Sequence, residues 1–314
     1  MPRYGRGMDT IARRSRIRRT RTGKRIELTT RDLDIFRALA RYRYLPSTYI
    51  HAFAGGASET RFKERLGDLF HEGYLNRPNQ QWQFAGALYQ PAVYESGEGA
   101  RRIRCDHDDG EYGACTFLAS NAHRQFAHSL MICELLASLE LAVRSHPNLR
   151  FIGWPEILAR APEGTRASAT PFRIPLPSGE SLAPDGIFGL EYANAGKKSY
   201  RFFALEADRG TMPVARSNTH QSSYLGKVAA YRDLLAHRTY KTALGVPNLL
   251  VLTVTTSESR MTEIMRRMEG DGGRSAAFLF KTAAPPDLRL PMPQLLSEPW
   301  ARAGHPPLRI DESD

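Results

Sequence analysis

The 314-residue chain carries 44 Lys and Arg against 33 Asp and Glu, a net charge of +11, with 41% hydrophobic residues. A chain of this length ordinarily forms two domains, each able to bury its own core, and 20 Pro with 25 Gly add long loops. No apolar run approaches the roughly 20 residues that cross a bilayer, and the arginine-rich start lacks the apolar stretch of a secretory signal. Cys105, Cys115 and Cys133 share no C-x-x-C spacing, which argues against a disulfide framework or a zinc knuckle. A cytoplasmic protein with no membrane partner is expected.

Residues 1–25 hold ten basic side chains against Asp9 alone, so this segment supplies +9 of the +11. Its block of Arg13, Arg14, Arg16, Arg18 and Arg19 has no apolar face. A tail over 1–26 should be disordered by itself and drawn to polyanions, nucleic acid ahead of anionic lipid.

The next segment reads as three helices and a hairpin. Thr30 is a candidate N-cap for a helix carrying Leu33, Ile35, Phe36 and Leu39 inward, with Asp32 and Asp34 in its first turn. Ser47 is expected to cap a short helix to Phe53, and Ser58 a third from about Glu59 to His71. Two strand-like runs, Gln81–Phe84 and Leu88–Tyr94, complete a winged helix-turn-helix over 27–95. In such a module the third helix enters the major groove of double-stranded DNA, where Arg61 and Arg65, one turn apart, would face the DNA with Lys63 nearby. The same arginines could instead pair with Glu59, Glu64 or Asp68 on a solvated face, and winged helices also dock proteins.

A polar linker is expected over 96–120, including the loop-like run Cys105-Asp106-His107-Asp108-Asp109. A long amphipathic helix follows from about Asn121 to Ser145. The stretch from Pro184 to Tyr231 then organises the rest. An apolar run from Asp185 through Phe188, a turn at Asn194-Ala195-Gly196, and the run Tyr200 to Gly210 make a hairpin. Alternation places Glu206 and Asp208 on one face, and Asp185 at the start of the neighbouring strand can join them. Clustered carboxylates repel, and a divalent cation is a common reason to assemble them; solvated strand ends paired with Arg209 or Lys198 are the other reading. On the helix after the hairpin, Tyr224, Val228, Tyr231 and Leu235 form an apolar stripe with Lys227 at its edge. That lysine either meets an anionic partner or reaches out to water. Strand, helix and strand follow over Asn248–Thr256, Ser257–Met268 and Ala276–Thr282, completing a mixed sheet flanked by helices.

Asp185 in a Pro-Asp pair, then a hairpin to Glu206-x-Asp208, resembles the metal-binding core of the PD-(D/E)xK nuclease superfamily. Asp208 stands where that pattern has lysine, and Lys227 is the candidate for a lysine moved to the following helix. Glu206 to Thr211 with Lys227-x-x-x-Tyr231 resembles the replication-relaxation family of plasmid and mobile-element proteins, over roughly Leu28 to Trp300. The resemblance implies an α+β protein, a winged helix-turn-helix followed by a nuclease-like domain over 121–314. It implies Mg²⁺ or Mn²⁺ on Asp185, Glu206 and Asp208, Lys227 beside the attacking water, and an acid from the long helix. Glu134 is the candidate for that acid, with His128 nearly two turns earlier. The implied activity is metal-dependent nicking or cleavage of DNA, with replication or transfer proteins as partners and a homodimer where both strands are cut. A non-catalytic accessory factor or regulator on the same fold is the alternative. A tyrosine nucleophile fits poorly, because Tyr224 and Tyr231 belong to the apolar stripe.

Overall fold

The computed structural model describes residues 14–84, 86–106, 126–194, 196–211, 214, 224–270, 275–284 and 289–312. Arg13 and the run from His107 to Asp109 lie outside them. The N-terminal unit comprises α1 (Thr30–Arg41), β1 (Leu45–Pro46), α2 (Ser47–Ala54), α3 (Glu59–His71), β2 (Leu75–Asn76), β3 (Val93–Ser96) and α4 (Glu98–Asp106). β3 lies between β1 and β2, antiparallel to both.

Local chemistry explains where these elements differ from expectation. Thr29, not Thr30, caps α1: its hydroxyl accepts from Asp32 N–H while the Asp32 carboxylate accepts from Thr29 N–H, a reciprocal capping box. Pro46, not Ser47, precedes α2, and Ser47 begins the helix. The expected strand at Gln81 is a 3-10 turn over Asn79–Gln83. The Gln81 amide reproduces strand pairing with its side chain, accepting from Val93 N–H at 2.8 Å and donating to Val93 O at 3.0 Å. The linker is helical where α4 runs, and buried Ala100 joins the N-terminal core.

The basic tail is also placed, from Arg14 onward. Arg14 and Lys24 both pair with Asp68 at 2.7 Å. Arg19 donates to Phe70 O and Leu75 O, and Thr22 to Glu72. The end of α3 offers acids and open carbonyls that accept what this part of the tail donates.

The remainder comprises α5 (Phe126–Arg144), β4 (Leu149–Ile152), α6 (Trp154–Arg160), α7 (Glu163–Arg166), β5 (Ile174–Pro175), β6 (Ser181–Leu182), β7 (Gly186–Asn194), β8 (Lys197–Asp208), α8 (Tyr224–Ala236), α9 (Thr239–Leu244), β9 (Leu250–Thr255), α10 (Glu258–Gly270), β10 (Phe278–Thr282), α11 (Gln294–Ser297), β11 (Trp300–Arg302) and β12 (His305–Leu308). The chain is thus α+β. Seven strands form one sheet in the order β12-β11-β10-β9-β8-β7-β4. β8–β9 and β9–β10 are parallel and the other pairs antiparallel. Gly196, at φ 79°, supplies the left-handed residue of the β7–β8 turn. Phe188, Phe203, Leu205 and Leu252 are fully buried in the sheet, each contributing about 1.5–3 kcal/mol of transfer free energy.

α5 is long and apolar enough to cross a bilayer by length and hydropathy, which the sequence reading did not anticipate, yet 78% of its apolar window is buried inside the protein. One side packs on the sheet; another holds the N-terminal unit. Glu140 accepts from Arg41, Tyr42 and Arg144. Tyr49 on α2 shares a hydrogen bond with Ser138 and donates to Leu290 O. The two halves therefore share a core on the α5 face of the sheet, and its other face, under α8 and α10, holds a second.

Candidate functional site

The β7–β8 register pairs Gly186 with Leu205, so Asp185 arrives opposite Glu206. Asp185 is fixed at both oxygens: Oδ2 accepts from Ala207 N–H at 2.9 Å, and Oδ1 lies 3.2 Å from His128 Nε2 on α5. From α8, Lys227 Nζ donates to Glu206 Oε2 at 2.5 Å and lies 3.9 Å from Asp185 Oδ1. One turn on, the Tyr231 hydroxyl donates to Glu206 Oε1 at 2.6 Å. Glu206 is 4% exposed, Asp185 15%, His128 27% and Lys227 31%, so the cluster opens to solvent on its lysine and histidine side.

Burial opposes charge on every member, and the neighbours decide the outcome. Burial raises the Asp185 pKa, but Lys227 and the His128 and Ala207 hydrogen bonds outweigh it and hold the group below the usual carboxylate range. Burial and then the Asp185 charge push Glu206 up to about 7, against Lys227 and Tyr231. Burial disfavours the Lys227 ammonium, yet Glu206 and Asp185 together hold it above its ordinary value. For His128 the hydrogen bond and charge of Asp185 overcome burial and raise the pKa. The ammonium of Lys227 is therefore the cation between the two carboxylates.

The structure brings Asp185, Glu206 and Lys227 together, with Asp208 close enough for its charge to act on Lys227, and leaves Glu134 elsewhere. Asp208 shares a strand face with Glu206 but is bound by Arg260 of α10 at 2.7 Å, and it accepts from Gly210 N–H. Glu134 is buried against Arg289 at 2.5 Å, toward the N-terminal unit. His128 is the residue α5 delivers to the site. On α3, Arg65 turns inward to Asp32, at 3.0 and 2.6 Å, and to Glu27 O, so it does not face outward as expected. Lys63 pairs with Glu59 on the exposed face, and Arg61 is exposed.

Replacing Asp208 with asparagine should leave Mn²⁺ binding, measured by calorimetry, unchanged. The same variant should lose about 1–3 kcal/mol of stability in a urea titration, because Arg260 loses its buried partner. Weakened Mn²⁺ binding would return Asp208 to the metal site.

The sequence model described as Replication-relaxation matches residues 36–250, about two thirds of the chain. The chain belongs to the replication-relaxation family. Membership points to a role in plasmid or mobile-element replication or relaxation. No curated protein matches the chain, and no solved structure does. The family match contains all four residues of the cluster, His128, Asp185, Glu206 and Lys227, and stops before Arg260.

The donors suit a particular kind of cation. Among the described residues no three of His, Cys, Asp and Glu are grouped to cage a metal. Asp185 and Glu206 are hard oxygen donors, and Mg²⁺ commonly binds through one or two carboxylates, keeping water and taking phosphate oxygens for the rest. Two carboxylates beside an opening to solvent fit that habit.

Proposed function

We propose that this replication-relaxation protein binds DNA and hydrolyses a phosphodiester bond with Mg²⁺ held by Asp185 and Glu206. The observation that carries the reading is the convergence of two carboxylates and one amine, from two strands and a helix, at a solvent-open point. The metal would supply a lowered water pKa and a Lewis acid for the phosphate. Tyr231 fixes one oxygen of Glu206, and Ala207 N–H fixes one of Asp185, so both carboxylates are held in place before a ligand arrives. Lys227, on the open side, carries the positive charge that a pentavalent phosphate needs beside it. The three-helix unit, as a winged helix, would hold double-stranded DNA.

The test is supercoiled plasmid with and without Mg²⁺, scored for open-circular and linear products. Mg²⁺-dependent nicking that vanishes in Asp185→Asn, with DNA binding retained, is the expected result. Equal nicking by that variant, or none by the parent, overturns the reading.

One observation favours a second reading, a non-catalytic replication or transfer factor. Lys227 already neutralises the facing carboxylates, so the fold has no need of a metal for its own stability. A parent protein that binds DNA but neither nicks it nor binds Mn²⁺ would fit this reading.

A further inference from the structure

The cluster holds one group that the proposed reaction leaves without a task, the imidazole of His128. α5 carries it to the open side of the site, where its side chain is 27% exposed. Nε2 lies 3.2 Å from Asp185 Oδ1. Asp185 is held ionised, below the usual carboxylate range, and an ionised carboxylate only accepts hydrogen bonds. The proton of the neutral imidazole therefore sits on Nε2, and the lone pair is left on Nδ1. Among the described residues nothing bonds Nδ1, and it is not one of their buried unpaired polar atoms, so that lone pair meets solvent.

Hydrogen-bond accounting gives this lone pair its significance. A water that attacks phosphorus must be turned toward it, and a group that accepts from the water can do so. The other side chains of the cluster are already engaged. Lys227 is held as an ammonium, with three donors and no acceptor. Glu206 accepts from Tyr231 at Oε1 and from Lys227 at Oε2, and Tyr231 is itself buried. Asp185 accepts from Ala207 N–H at Oδ2, and its Oδ1 faces His128. The lone pairs remaining on these carboxylates are the ones the proposed cation would use. Nδ1 is then the acceptor on the open side. A carboxylate at one nitrogen and an open lone pair at the other is also how an imidazole is fixed in one tautomer to serve a reacting oxygen.

We infer that His128 orients the attacking water, its Nδ1 accepting a hydrogen bond from that water while Asp185 holds the ring. The role is one of orientation, and no proton transfer to the ring is part of it. The inference rests on the hydrolysis proposed above. It adds a catalytic residue from α5 to those that the hairpin and α8 supply.

Two measurements test it. In EDTA at pH 8, nitrogen NMR of the full chain labelled at its histidines should show His128 protonated at Nε2 and unprotonated at Nδ1, its signals assigned by their loss in His128→Gln. A proton on Nδ1 overturns the inference, whatever the protein does to DNA. In the plasmid assay with Mg²⁺, His128→Gln should lower kcat by about 10²-fold, the loss that follows a misplaced reactant, with KM for DNA and calorimetric Mn²⁺ binding unchanged. Glutamine can still donate to Asp185 but has no lone pair at the Nδ1 position. Asparagine does the reverse, so His128→Asn should nick faster than His128→Gln. Parent-level nicking by His128→Gln, or the opposite order of the two variants, overturns the inference and leaves the nuclease reading standing. Weaker Mn²⁺ binding in His128→Gln does the same, because the ring would then act only by bracing Asp185. A parent that does not nick removes both, which the plasmid assay shows without any variant.

Discussion

Lys227→Met should reduce Mg²⁺-dependent nicking by about 10²- to 10³-fold, the cost of removing one charge-stabilising donor at a transition state. The same substitution should tighten Mn²⁺ binding. In the parent an entering cation must share the two carboxylates with an ammonium 2.5 Å from one and 3.9 Å from the other. Without it, only the His128 and Ala207 N–H contacts on Asp185 and the Tyr231 hydrogen bond to Glu206 temper their repulsion, and a divalent ion relieves it directly. The pH dependence of the metal-free variant follows. Glu206 already has its pKa raised to about 7 in the fold, and losing Lys227 raises it further. A raised carboxyl pKa gives stability that is full at acid pH and is lost as pH climbs through the folded value. Lys227→Met in EDTA should therefore unfold at lower urea at pH 8 than at pH 6, and Mn²⁺ should restore the difference. Nicking at the parent rate, or Mn²⁺ binding that weakens, would remove Lys227 from the site.

The second large effect concerns stability. Arg289→Ala removes the partner of a glutamate buried where α5 meets the N-terminal unit. Burial already pushes Glu134 up to about 8, with Arg289 pulling the other way. At pH 9 the variant must either keep an unpaired buried carboxylate or hold a proton on it against the solvent, at a cost of about 3–5 kcal/mol in a urea titration. At pH 5 the carboxyl takes up a proton and the loss should shrink. The parent should itself lose stability as pH rises from about 4.5 through about 8, because the folded state binds this proton more tightly. Glu134→Gln should flatten that slope. A pH-independent loss in Arg289→Ala would show that the arginine acts by packing alone.

The hairpin and its two strongest residues are legible in the sequence. Period-two alternation, a Gly turn and a β-branched strand downstream are local signals, and they place Asp185 beside Glu206 without knowledge of the rest. Lys227 is legible for the same reason, one helical turn before a stripe tyrosine. Asp208 is not. Alternation puts it on the Glu206 face correctly, but its partner Arg260 lies 52 residues downstream, and nothing local announces that pairing. Glu134 and His128 are not told apart in the sequence because α5 is apolar nearly all round and gives no single face to read. Six residues apart, they point about 120° away from each other, so one helix cannot present both at one spot. Arg65 and the tail are misread alike: Asp32 and Asp68 claim cations from 33 and 44 or more residues away, a distance over which charge pattern says nothing.

α5 has one more consequence. It touches Asp185 through His128 near its start and the first helix of the N-terminal unit through Glu140 near its end. The twelve-residue step from His128 to Glu140 rises about 18 Å with no proline or glycine along it, so the helix has no joint. A tilt imposed on the N-terminal unit, as by the DNA proposed above, would reach the histidine as a rigid lever stroke.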